Sequence, residues 1–198
     1  MQVPSDDEIR ALHAKHAPTP EAFDRVYTHC VIVADIAGRL LADSNSAADP
    51  ALVRAGSLLH DIGVYRLYNA AGTLDHAHYI RHGVLGREVL TEEGLPEALC
   101  RFCSCHTGVG ITREDVRTQD LPIPEADYLA ESEEEQLVMF ADKFHSKSEP
   151  SRLVSAPTAA DRLRRFGEEK ELLFKTLLDR YGEPDLRPFQ ERYGHVLV

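Results

Sequence analysis

His60 and Asp61 stand side by side at the end of an apolar run, Leu58-Leu59-His60-Asp61-Ile62-Gly63, and neither residue type is at home in a core. A buried carboxylate beside a buried imidazole is costly unless its charge is compensated, and a divalent cation is the strongest local compensator. Successive helical residues point about 100° apart, so the two side chains can converge on one ion only near a helix end. Gly63 is the expected end, as the residue type that enters a left-handed C-cap cheaply. A dipeptide is weak by itself, and its meaning depends on where further ligands lie.

Further candidates follow in order as His29, His82, His106 and Asp142. His29 falls on the shoulder of an apolar stripe formed by Phe23, Val26, Tyr27, Cys30, Val33, Ala34, Ala37, Leu40 and Leu41, about 60° from its centre at 100° per residue. Each of the others lies on, or at the end of, a different expected helix. Facing helices that each project one ligand inward are what a metal centre in a helical bundle needs. Imidazole and carboxylate without thiolate suit Fe, Mn, Co, Ni or Zn, and six ligands exceed the needs of one tetrahedral ion. Cys100-x-x-Cys103 has knuckle-like spacing, but no second cysteine pair follows, and Cys30, Cys100, Cys103 and Cys105 read as small helix-packing residues in a reducing compartment.

The elements that must position these residues are helical. Helices are expected from Ser5 to His16, with Ser5 and Glu8 as a capping box, from Glu21 to Ala42, from Asp49-Pro50 to His60-Asp61, from about Ile80 to Gly94, from Glu97 to Cys105, and from Ser132 through Asp142. Val64–Ala77 and Gly108–Ala130 read as loops, and a charged helix is expected over Ala159–Tyr181, followed by a short tail. Strand-type alternation is absent. The fold class is all-α, a single domain over 1–198 with a motif core at 21–152 and a C-terminal helical extension at 157–198.

With 198 residues, 43% hydrophobic and 28% charged, the chain has the composition of an ordinary soluble domain. The net charge of −11 argues against a nucleic-acid polymer or an anionic membrane as partner, while leaving room for a small anionic substrate held locally. No apolar stretch approaches the ~18 residues of a membrane span, and the polar, acidic stretch Met1–Asp7 is unlike a secretory signal. A cytoplasmic location is expected, and a homodimer is compatible with the sequence.

The motifs Thr28-His29-Cys30, Leu59-His60-Asp61-Ile62-Gly63 and Phe140-Ala141-Asp142-Lys143 resemble the HD superfamily of metal-dependent phosphohydrolases in its HDIG-spelled branch, whose fold is an HD-domain helical bundle. His82-Gly83 and His106-Thr107-Gly108 look like the extra histidines of two-metal members. Together with Glu149-Pro150-Ser151-Arg152, they make the chain similar to the small bacterial diadenosine tetraphosphate hydrolases. The resemblance covers about Glu21 to Arg152. No Glu-Asp pair follows the dipeptide as in ppGpp hydrolases, no Gly-Tyr-Pro signature of cyclic-di-GMP phosphodiesterases is present, and Gly108–Ala130 is longer than the tetraphosphate hydrolases would lead one to expect.

The resemblance implies that His29, His60, Asp61 and Asp142 hold one divalent transition metal, with Asp61 bridging to a second completed by His82 and His106. It further implies phosphoester or phosphoanhydride cleavage in a small phosphorylated metabolite or nucleotide by a hydroxide bridging the two ions. Lys143 and Arg152 are the expected phosphate contacts alongside catalytic Asp61, with Arg66, Arg81 and Thr107 as further substrate-binding candidates. Because His76 and His78 lie close to His82 in sequence, either could take its place. His13, His16, His145 and His195 read as structural or surface residues. A di-iron oxygenase with the same ligands and a non-catalytic metal-stabilised module are the alternative readings.

Overall fold

The structure, a computed structural model, describes residues 3–198, so Met1 and Gln2 of the acidic N-terminal stretch lie outside the described residues. Helix α1 (Asp6–His16) carries the expected capping box, with Ser5 accepting from the Glu8 N–H and Glu8 reaching back. Helix α2 (Pro20–Asp43) is capped by Thr19, and α3 (Pro50–Leu59) by Asp49. A 3-10 segment, Ile62–Leu67, follows His60-Asp61, and a second one, Tyr79–Arg81, leads into α4 (His82–Glu92). Helices α5 (Glu97–Cys105), α6 (Arg113–Thr118) and α7 (Glu133–Asp142) complete the expected motif region.

Two expectations for this region need correction. Part of Gly108–Ala130 is helical, because Thr112 and Asp115 form a capping box that nucleates α6 within the segment read as a loop. Gly63 is not the left-handed cap of α3: His60 is the C-cap in right-handed geometry, and Gly63 sits inside the following 3-10 segment. The glycine is needed for close approach. A Cβ there would lie 2.1 Å from the His82 carbonyl oxygen and 2.2 Å from the Gly86 nitrogen, so backbone contact with α4 is what brings His82 toward Asp61.

The expected C-terminal helix is two helices, α8 (Ala156–Arg164) and α9 (Glu168–Tyr181), because Gly167 at φ 135° breaks the run. A third, α10 (Arg187–Tyr193), precedes a C-terminal strand. Strands β1 (His145–Ser146), β2 (Arg152–Leu153) and β3 (Val196–Leu197) form a small sheet in that order, with β1–β2 antiparallel and β2–β3 parallel. The architecture is otherwise the expected all-α bundle.

Helix α2 is the central post. Its buried Val26, Cys30, Val33 and Ala37 pack among α3, α7 and α9. Phe140 of α7 joins Phe144 and Phe174 of α9, with ring centroids 5.0 and 5.4 Å from it. One hydrophobic cluster therefore runs from Ile9 in α1 to Phe189 in α10. The four cysteines are free and buried within this packing, and burial pushes the Cys105 thiol up to about 12. Among the described residues, no helix is long and apolar enough to cross a membrane. Gly63→Ala is expected to cost about 3 kcal/mol or more through overpacking against backbone, seen as a drop in Tm, because neither neighbouring strand of chain can rotate away as a side chain would.

Candidate metal centre

The end of α3 delivers His60 and Asp61, α2 delivers His29, the start of α4 delivers His82, the residue after α5 delivers His106, and the last residue of α7 delivers Asp142. The structure brings all six together. His29 Nε2 lies 3.1 Å from Asp61 Oδ2 and 3.0 Å from Asp142 Oδ1, and His60 Nε2 lies 3.6 Å from each of the same two oxygens. On the other side, His82 Nε2 and His106 Nε2 are each 3.6 Å from Asp61 Oδ1. Two overlapping sets stand out whose ligand atoms lie within 4.8 Å of one another: His29, His60 and Asp142, and His60, Asp61 and His106.

Second partners fix which nitrogen of each ring faces inward. His60 Nδ1–H donates to the Ser57 carbonyl at 2.6 Å, His82 Nδ1–H to Tyr79 at 2.7 Å, and His106 Nδ1–H to Phe102 at 3.0 Å. A carbonyl can only accept, so in each ring Nδ1 carries the proton and, in the neutral ring, Nε2 keeps its lone pair. Burial lowers the His106 pKa and pushes that of His82 down to about 3, which keeps both rings neutral. Their lone-pair nitrogens nevertheless face each other at 3.0 Å, and two lone pairs at that separation repel unless a cation lies between or beside them.

Asp61 makes the same point from the acid side. It is fully buried, and Oδ1 has no hydrogen-bond partner, an arrangement that is expensive without a positive partner. Burial opposes its ionisation, but Lys147 and the surrounding histidines hold its carboxyl well below the usual carboxylate range. The donor set is therefore ionised carboxylate plus Nε2 imidazole, which fits divalent transition metals.

His29 is oriented differently. Its Nδ1 lies 2.7 Å from His145 Nδ1, and His145 Nε2 lies 3.0 Å from His195 Nδ1. Burial, with His29 adding to it, pushes the His145 pKa down to about 2, so this ring is neutral and offers one donor and one acceptor. The assignment that leaves His29 Nε2 free for the centre is His29 donating to His145 and His145 donating to His195. His145, read from sequence as structural or surface, thus backs His29 directly, and the strand β1 on which it sits is held by β2 and β3.

A cavity of about 300 Å³ opens beside the cluster, lined among others by His29, His82, His106, Thr107, Asp142, Lys143, Lys147 and Arg162. Thr107 and Lys143 are where the sequence suggested, and Lys143 Nζ also donates to Asp142 Oδ2 at 2.7 Å and to the His106 carbonyl at 3.0 Å. The three arginines expected to bind substrate are not brought to this cavity. Arg66 is exposed and pairs with Glu92, Arg81 is exposed and lines a separate recess with Glu88 and Pro124, and Arg152 is exposed on β2. Cations at helix and strand edges are drawn outward by solvation and by neighbouring carboxylates. In their place stand Lys147, whose ammonium contacts Asp61 Oδ2, and Arg162 from α8. His76 lines another recess and His78 pairs with Asp75 at 2.7 Å, so neither replaces His82.

The chain matches the HD domain family over residues 26–147, which include all six converging residues. It belongs to the HD-domain family. An uncharacterised protein of Methanocaldococcus jannaschii is 40% identical to it over 122 residues, 60% of this chain and 65% of the relative. A tRNA (cytidine(56)-2'-O)-methyltransferase of Picrophilus torridus is 33% identical over 73% of this chain and 37% of the relative, and that of Thermoplasma volcanium 28% identical over 88% and 41%. The chain thus spans less than two thirds of the length of these curated relatives. Among solved structures, the HD domain of the L. monocytogenes phosphodiesterase PgpH shares the fold, with a TM-score of 0.51, 17% identity, and coverage of 86% of this chain and 94% of that domain. Its complex with cyclic-di-AMP gives a TM-score of 0.52 at 16% identity, covering 94% and 97%.

In this HD domain Lys147 supplies the positive charge nearest Asp61, so its removal tests the balance of charge. Lys147→Met is expected to destabilise metal-stripped protein by about 3 kcal/mol, the scale of breaking a buried pair, and to be rescued by added Mn2+, both read from thermal melts with and without the ion. His145→Phe keeps a ring but removes the acceptor behind His29, and metal retention after desalting, measured by elemental analysis, is expected to correspond to an affinity ~10–100-fold weaker.

Proposed function

We propose that this HD domain is a metal-dependent phosphohydrolase acting on a small phosphorylated metabolite or nucleotide, the whole chain working as one unit. The observation that carries the reading is the unpartnered, buried Asp61 Oδ1, faced at 3.6 Å by both His82 Nε2 and His106 Nε2. This arrangement calls for cations, and the cavity beside it is ringed by further cationic side chains. His29, His60, Asp61 and Asp142 would hold one ion, and Asp61, His82 and His106 a second. Divalent ions there would supply Lewis acidity, polarising a phosphoryl oxygen and lowering the pKa of water.

The protein's own groups do the rest. Nδ1–H bonds to backbone carbonyls hold three imidazoles in one tautomer through the reaction, so the ligand set does not reorganise. Lys147 and Lys143 are ammonium groups already at the rim, and each can move from a carboxylate oxygen to a phosphate oxygen within the same cavity. Arg162 adds a planar fork suited to phosphate, and the Thr107 hydroxyl follows directly on the ligand His106. Asp61 is placed to act on both sides of the centre at once, because Oδ2 faces His29 and His60 while Oδ1 faces His82 and His106.

The family membership supports the reading, and one solved HD domain with this fold is that of a phosphodiesterase in complex with cyclic-di-AMP. A substrate panel should therefore include cyclic dinucleotides and diadenosine tetraphosphate beside simple phosphoesters. Protein loaded with Mn2+ or Fe2+ is expected to release phosphate or nucleotide from at least one of them. Asp61→Asn is expected to lower turnover by ~10³-fold or more, the scale seen when one member of a catalytic unit is removed. Full activity in that variant would overturn the mechanism.

A further inference from the structure

A second cavity, of about 150 Å³, adjoins the first and shares Thr107, Gly108 and Leu163 with it. Its character is different. Ile80, Val109, Ile111, Leu121 and Phe166 contribute its walls. Its charged residues, Lys170 and Asp115, are spent on each other: Lys170 Nζ lies 2.6 Å from Asp115 Oδ2 and donates to the Gly110 carbonyl at 2.9 Å, while Asp115 also caps α6. A volume of 150 Å³ equals about five liquid waters at roughly 30 Å³ each, which is room for one flat ring system.

Phe166 is the informative wall. It is 61% exposed and lines the cavity from the connection between α8 and α9, so its ring face is free to stack on a ligand that enters there. One short stretch thus serves both cavities, with Arg162 in the cationic one, Leu163 in both and Phe166 in the apolar one. The remaining side-chain polarity of the lining is neutral, the Thr107 hydroxyl and the Gln119 amide, so a charged substituent would lose hydration there without an opposite charge to meet it, whereas a ring with a few polar edge atoms would find partners.

Resting on the phosphohydrolase reading, we infer that the apolar cavity formed by Ile80, Ile111, Leu121 and Phe166 binds an uncharged planar ring attached to the phosphate held at the metal cluster. The substrate is a ring-bearing phosphoester, with a nucleobase or an aryl group as its ring, and not a plain sugar phosphate. The ring enters across Thr107-Gly108, the two residues immediately after the ligand His106, and stacks against Phe166. Specificity is then set by residues 163–166, beyond the family-matched 26–147, acting with the α6 segment.

Calorimetric titration of the full, Mg2+-saturated chain with adenosine 5'-monophosphate, phenyl phosphate and ribose 5-phosphate tests this. At least one of the two ring-bearing ligands is expected to bind roughly tenfold or more tightly than ribose 5-phosphate, and the comparison of the two separates nucleobase from aryl group. Phe166→Ala, at an exposed position where folding is not at stake, and Leu121→Trp, which fills the cavity, are both expected to shrink that ratio toward one. A wild-type ratio of one, or a ratio that neither variant changes, overturns the inference. Turnover of p-nitrophenyl phosphate by Mn2+-loaded protein reports separately on the reading beneath it. No turnover with the binding ratio intact removes the hydrolase and leaves the ring site, whereas turnover with a ratio of one does the reverse.

Discussion

Two carboxylates, Asp61 and Asp142, are held ionised among four imidazoles inside a helical core, and the cost of keeping them there governs the rest of the structure. Burial opposes both charges, while Lys147 beside Asp61 and Lys143 beside Asp142 pull each carboxyl well below its usual range. Even so, Asp61 Oδ1 remains without a donor. Helices α2, α3, α4, α5 and α7 each supply one side of this charge, so no one helix end can shift without exposing or stranding it. Backbone contact at Gly63 and Gly86, the aromatic packing of Phe140 and the capping box at the head of α7 are what hold these ends to within hydrogen-bonding distances of one another.

The six converging residues were legible because they are tied to strong local patterns. Each sits at the edge of an apolar stripe or at a helix end, and helix period and capping chemistry are encoded in neighbouring residues. The cations beside the cluster were not, since a Lys or Arg at an element edge obeys no period and its direction depends on which carboxylates lie nearby. Arg66 is held outward by Glu88 and Glu92, whereas Lys147 is drawn inward by Asp61. The role of His145 was hidden for a related reason. It comes from β1, a two-residue strand paired to β2 and through it to β3 near residue 196, and a pairing of such separation leaves no alternation in sequence. The α6 capping box did have a signal, Thr112-x-x-Asp115, masked by the prolines that follow it.

The centre and the pocket differ in what they demand of the chain. Ligand geometry tolerates little, and residues 26–147, which carry it, coincide with the family match. Two of the neighbouring cavity's walls, Leu163 and Phe166, come instead from α8 and the turn after it. Those walls are nonetheless fixed to the centre by three physical links: Phe174 of α9 in the core beside Phe140, Ser155 donating to the Val198 carbonyl at 2.7 Å, and His195 against His145.

That last link has a consequence for how the fold can vary. His195 lies next to β3, and β3 closes the sheet whose first strand carries His145, which in turn orients His29. The C-terminal segment is therefore part of the support of His29, 166 positions earlier in the chain, and the same segment pins the start of α8 through Ser155. A change in the C-terminal region that reshapes the wall of the second cavity must keep β3 paired if His29 is to keep its tautomer. Sequence variation is accordingly freest at the α8–α9 connection that carries Phe166 and Gly167, outside the paired segments, and most constrained at the two ends that the sheet holds.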